Sequence, residues 1–186
     1  MAAVRARLAS GNPHKLEELR AALPGWELEL VETDHEYPPE DGATYYENAR
    51  AKAAFGREAA APEDWVLGED SGIEVAALGG RPGVASARWA ADGVAQLLEE
   101  LDGVVDRRGR YVCELVALDP GGDERRGTGI LEGTIATERR GDEGFGYDPI
   151  FVPAGEDQTV AQLGDAWKRE HSHRARAAAA LVTVCY

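Results

Sequence analysis

Val4-Arg-Ala-Arg-Leu-Ala-Ser10-Gly-Asn-Pro-His-Lys15 is the stretch that decides the fold. Val4 to Ser10 reads as a strand, broken by Gly11 and Asn12. Pro13 suits the first position of a helix, where its missing N–H is not needed. Asn12 then stands at the N-cap, with Leu16, Leu19 and Leu23 on one face. A strand, a glycine turn and a helix start together make an anion cradle. The first-turn N–H groups face outward, and Lys15 can reach a phosphate oxygen. The segment is neither a Walker loop nor GxGxxG, and an ordinary strand-to-helix turn with a surface lysine fits the same residues.

Downstream, Trp26, Leu28 and Leu30 alternate with glutamates as a half-exposed second strand. Thr44-Tyr-Tyr-Glu47 fits a capping box opening a helix to about residue 60, on which Asn48 and Lys52, four apart, share a face. Trp65 to Leu67 reads as a short buried strand that delivers Glu69 and Asp70 into a tight turn, and Ile73, Val75 and Ala77 alternate as a further strand. A helix over 90–101 follows, then two long antiparallel strands over 111–118 and 127–136 joined by the turn Asp119 to Asp123. A Gly-rich loop over 141–148, a short strand over 150–152 and a final helix capped by Ser172 complete the pattern. With no internal repeat or linker, residues 1–186 read as a single two-lobed domain. Mixed strands with flanking helices imply an α/β fold with clefts near strand ends.

Charge narrows the function. A formal net charge of −14 leaves no basic stripe to displace the counterions of a nucleic acid, so duplex or RNA binding is not expected. An acidic chain binds a polyphosphate only where local cations, backbone N–H groups and divalent metal reverse the sign inside one cleft. Seventeen arginines and three lysines supply the cations, and Lys15, Lys52 and Lys168 all lie in segments dense in glycine, carboxylates or histidine. No apolar run approaches the roughly 18 residues that cross a bilayer, and the opening residues lack a signal-peptide core, so a cytoplasmic protein without membrane contact is expected. Cys113 and Cys185 show neither CxxC nor metal-ligand spacing.

Glu69-Asp70-Ser71-Gly72 carries the metal expectation. Two adjacent carboxylates in a tight turn repel each other unless a cation joins them, and hard oxygen donors suit Mg²⁺. Glu40, in the loop Pro38 to Gly42, is the candidate third carboxylate; a solvated acidic turn is the other reading. Phe145-Gly146-Tyr147-Asp148 offers an aromatic face to stack on a base and a carboxylate to accept its N–H groups, and it fits a core aromatic beside a turn aspartate equally well. His171 and His173 point apart if both are helical, which disfavours a helical metal pair. Donors from Lys168, His173 or Arg174 to a purine ring fit better.

Taken in order, SGNPHK (10–15), EDGATYYENARAKA (40–53), EDSGIEVAALGGRPGVASARWA (69–90), GFGYDPIFVP (144–153) and SHR (172–174) resemble the inosine/xanthosine triphosphate pyrophosphatase family. These house-cleaning enzymes hydrolyse deaminated purine nucleoside triphosphates to monophosphate and pyrophosphate. The resemblance implies a long twisted mixed sheet with helices in two lobes around a central cleft, usually as a homodimer. It implies that Ser10, Gly11, Asn12, Pro13, His14 and Lys15 hold the triphosphate, supported by Asn48 and Lys52, and that Glu40, Glu69 and Asp70 bind Mg²⁺. Asp70 would accept the proton of the attacking water, and Ser71 would touch the substrate. Phe145 would stack on the base, with Gly146, Tyr147 and Asp148 completing the pocket and Lys168, His173 and Arg174 at the purine edge. The family's usual Asp-Asp-Ser-Gly is Glu69-Asp70-Ser71-Gly72 here, and Ala166-Trp167 stands where acids usually precede Lys168. Two other readings stay open: a nucleotide sensor without catalysis, and a related pyrophosphatase acting on other nucleotides.

Overall fold

A computed structural model of the chain describes residues 3–185; Met1, Ala2 and Tyr186, the ends of the expected 1–186 domain, lie outside the described residues. The order of elements is β1 (Val4–Ala9), α1 (Pro13–Ala22), β2 (Trp26–Leu30), α2 (Tyr45–Ala59), β3 (Trp65–Val75), α3 (Gly93–Glu100), β4 (Arg108–Leu118), β5 (Glu124–Ile135), β6 (Phe151–Pro153), α4 (Val160–His171) and α5 (His173–Cys185). Six strands form one sheet in the order β2-β1-β3-β4-β5-β6. β1 runs parallel to β2 and β3, while β5 and β6 are antiparallel, so the sheet is mixed. β4 and β5 are neighbours joined only by a short turn, a connection that an antiparallel pair alone permits.

The local signals work as read at both early helices. Asn12 caps α1 by accepting the His14 N–H at 3.0 Å, with Pro13 in the first turn. Leu16, Leu19 and Leu23 are buried. Thr44 and Glu47 close a reciprocal capping box on α2, which satisfies two otherwise orphaned N–H groups.

β3 departs from the expectation. Glu69 to Gly72 is no turn: one strand of 11 residues runs unbroken from Trp65 to Val75. Ser71, Gly72 and two acids have low strand propensity; the pairing with β1 ends at Gly68, and the place beside β4 overrides that propensity. α4 was also not anticipated. Gly164 interrupts it with φ 80 and ψ 179, which breaks the 3.6-residue apolar rhythm by which a helix is recognised. Ser172 ends α4, with its N–H bonded to the Lys168 carbonyl, and α5 follows at once.

The chain divides into two compact units. The first comprises residues 1–70, 113–129 and 174–186, and its core joins Leu8, Leu19, Leu28, Leu67, Leu115 and Leu181. The second comprises residues 71–112 and 130–173, with Ile73, Leu97, Leu101, Ile150 and Phe151 at its centre. Each such buried side chain contributes about 1.5 to 3 kcal/mol relative to exposure.

Candidate active site

β3 sorts its two acids by strand alternation, since successive side chains leave a strand on opposite faces. Gly68 and Asp70 face α2. A Cβ on Gly68 would lie 1.9 Å from the Ala49 carbonyl oxygen, so only glycine allows helix and strand to approach this closely. That approach brings Asn48 and Lys52 over Asp70. Asn48 Nδ2 donates to Asp70 Oδ2 at 2.9 Å, and Lys52 Nζ lies 3.4 Å from Oδ1 and 3.1 Å from the Glu69 carbonyl oxygen. Lys52 also pairs with Glu40, and the Gly42 N–H donates to Asn48 Oδ1 at 2.8 Å, which ties the Pro38 to Gly42 loop to the same point.

Burial pushes the Asp70 carboxyl up. Lys52 and Asn48 oppose that rise, Glu69 and Glu40 reinforce it, and the net proton affinity is raised. Burial pulls the Lys52 ammonium down, but Asp70 and Glu40 outweigh it and hold Lys52 charged.

Glu69 leaves β3 on the other face, fully buried. Lys15 Nζ from α1 lies 2.7 Å from its Oε2, Arg174 Nε from α5 donates to Oε1 at 3.0 Å, and Cys113 Sγ stands 3.5 Å from Oε1. Arg174 Nη1 donates to Glu18 Oε2 at 3.0 Å. Burial alone would raise the Glu69 carboxyl, yet Lys15 and Arg174 overcome it and hold this carboxylate well below its usual range. Burial and the Glu69 charge push the Cys113 thiol up, so it stays protonated.

These placements divide the three residues of the metal expectation. Glu40, Glu69 and Asp70 do not converge as one cage, and among the described residues no three His, Cys, Asp or Glu side chains gather as metal ligands. The reason is the period of the strand: adjacent acids on β3 share no face. Glu40, Asp70 and the Glu69 carbonyl do converge, around the Lys52 ammonium. Hard oxygens already collected about one cationic point fit a divalent ion that takes its remaining ligands from water and phosphate. The Glu69 carboxylate lies instead against Lys15 and Arg174.

The second unit holds the other expected residues. Buried Asp148 accepts from Lys168 Nζ at 2.7 Å, the Tyr111 hydroxyl at 3.1 Å and the Phe145 N–H at 3.0 Å. Gly144 has φ +76, and a Cβ there would meet Asp148 Oδ2 at 2.3 Å, so the loop needs glycine beside the pair. Lys168 Nζ sits 4.7 Å from the centre of the half-buried Phe145 ring. His173 stacks on Tyr111, ring centres 4.6 Å apart and planes 10° apart. Gly146, next to Phe145 in the chain, is exposed, and Ser71 lies half-buried on β3.

Tyr147 and Arg174 complete the set expected at the base. Tyr147 packs in the apolar core and its hydroxyl donates to the Ser86 carbonyl at 3.0 Å, with burial pushing the phenol up to about 12. Arg174 belongs to the first unit, where it donates to Glu69 and Glu18. Ser10, Gly11, Asn12, Pro13 and His14 form the turn into α1, where Ser10 Oγ accepts the Asn12 N–H at 3.1 Å. Sequence reading missed Glu18, although it lies three residues beyond Lys15 on α1 and so on the same face. It also missed Tyr111, which nothing separates from its apolar strand neighbours.

A mixed-sheet α/β protein with buried acids, each held by its own set of cations, is the class that this fold and these clusters define. Residues 6–184 match the model of the Ham1 family, and the chain belongs to that family. It is similar to the dITP/XTP pyrophosphatase of Mycobacterium bovis, with 47% identity over 94% of this chain and 92% of the relative. It is 41% identical to that of Gloeobacter violaceus over 96% and 92%. The solved Ham1 protein of Staphylococcus aureus superposes with a TM-score of 0.84 at 33% identity, covering 97% of both chains.

Proposed function

We propose that this chain is a Mg²⁺-dependent pyrophosphatase that hydrolyses the deaminated purine nucleoside triphosphates dITP, ITP and XTP to the monophosphate and pyrophosphate. The observation that carries the reading is Asp70, a buried carboxylate oriented by Asn48 and set beside Glu40 and Lys52. Relatives 41% and 47% identical that bear the name dITP/XTP pyrophosphatase support it.

Attack on the α-phosphorus needs an aimed water, a group to take its proton, and charge cancellation as the bond to pyrophosphate breaks. Asp70 takes the proton; with one oxygen fixed by Asn48, the other stays turned toward Lys52 and Glu40. Glu40 and Asp70 would hold the Mg²⁺. When bound, that ion neutralises phosphate oxygens and acidifies the attacking water. The turn Ser10 to Lys15 binds the triphosphate, and Lys15 offsets the charge that grows on the leaving pyrophosphate.

The purine goes to Phe145, Gly146, Asp148, Lys168 and His173. Hypoxanthine and xanthine present an O6 acceptor to the Lys168 ammonium, where adenine presents an amino donor. An unmatched buried donor costs about 1 to 3 kcal/mol, which sets a roughly 10- to 100-fold bias against ATP. A homodimer in the cytoplasm belongs to the same proposal and is checked by light scattering and cell fractionation.

Pyrophosphate release across ITP, XTP, GTP, ATP and dUTP, with Mg²⁺ and with chelator, tests the reading. Release from ITP and XTP that chelation abolishes is the expected result. No release from any of them would overturn it in favour of a nucleotide sensor.

A further inference from the structure

Lys15, Glu69, Arg174 and Glu18 close a ring of alternating charge. The path runs from α1 through β3 to α5 and back to α1, one turn beyond its start. Two cations face two carboxylates, so the ring is formally neutral. Glu69 and Arg174 are buried, and the Lys15 and Glu18 side chains are each only 14% exposed. Guanidinium groups prefer to grip a carboxylate through two parallel N–H bonds. Here Arg174 divides its bonds between two carboxylates: Nη1 donates to Glu18 Oε2 and Nε to Glu69 Oε1. Oε2 is thereby kept for Lys15.

We propose that Glu18 and Glu69 are positioning residues that fix the Lys15 ammonium at the mouth of the Ser10 to Lys15 turn, and that the Glu69 carboxylate is a counter-ion of the phosphate cradle rather than a metal ligand. The inference rests on the pyrophosphatase reading only in taking the ligand of Lys15 to be a polyphosphate. If Glu18 loses its charge, Arg174 closes on both oxygens of Glu69 and Lys15 loses its anchor. Binding of a polyanion then weakens although the cluster has gained one positive charge. A plain charge effect has the opposite sign, and a merely structural defect lowers the active fraction without moving affinity.

Glu18→Gln is titrated with inorganic tripolyphosphate and, separately, with Mn²⁺, and its steady-state kinetics on ITP are recorded. Tripolyphosphate affinity is expected to fall about 5- to 20-fold, the scale of one charged hydrogen bond. Mn²⁺ affinity should match the parent protein, and the loss on ITP should appear in kcat/KM, because Lys15 both binds the triphosphate and offsets charge on the leaving pyrophosphate. In a Lys15→Met background, Glu18→Gln should add nothing to the tripolyphosphate loss. Tripolyphosphate binding that is unchanged or tighter, or a matching drop in Mn²⁺ affinity, would overturn the proposal. A parent protein that binds tripolyphosphate but cleaves no nucleotide would refute the pyrophosphatase reading and leave the ring's role standing.

Discussion

On one face of β3, Asp70 and Glu40 meet a single ammonium, Lys52; on the other, Glu69 and Glu18 meet two cations, Lys15 and Arg174. The first face carries excess negative charge and a carboxylate whose proton affinity is raised. The second is balanced, and its carboxylate is held firmly ionised. Adjacent residues in sequence thus acquire opposite electrostatics, because a strand turns neighbours to different surroundings. An acid-rich face with one cation suits a divalent ion and a proton acceptor, whereas a balanced ring suits holding cations in place.

Substitutions that alter one face alone break or sharpen this contrast. Glu69→Gln leaves Arg174 and Lys15 facing a neutral partner in a buried site, and should destabilise the protein by about 3 to 5 kcal/mol, read as a lowered midpoint in urea unfolding. Asp70→Asn should leave the fold intact and lower kcat by on the order of 100-fold, about 2.7 kcal/mol of barrier. Near-normal turnover by that variant would remove Asp70 from its role. Lys168→Met in the second unit should leave both faces of β3 unchanged and cut the preference for ITP over ATP by roughly 10-fold in kcat/KM, the value of one matched donor. Glu40→Gln should weaken metal binding by about 10-fold, read as a rise in the Mg²⁺ concentration for half-maximal rate.

Much of the frame was legible in the residues. Asn12-Pro13 and Thr44 to Glu47 announce their helices through local hydrogen bonds that need no tertiary partner, and both form as read. The family itself, fixed by motifs from Ser10 to Arg174, was legible too. β3 was not, because Ser71, Gly72 and two acids signal a turn and only the neighbouring sheet makes the strand. α4 was hidden by Gly164. The two faces of β3 follow from that strand, so the separation of Glu69 from Asp70 was as invisible as the strand itself. Arg174 shows the same limit: its short motif marks it as functional, while its partners, Glu18 and Glu69, lie 156 and 105 residues away in sequence.

Mn²⁺ titration of Asp70→Asn beside Glu69→Gln, each shown by circular dichroism to be folded at the temperature used, tests the division of labour on β3 most directly. Affinity should fall about 10-fold or more in the first and stay within about twofold of the parent in the second. Equal losses in both would mean that the two carboxylates share one ion, and would contradict the account.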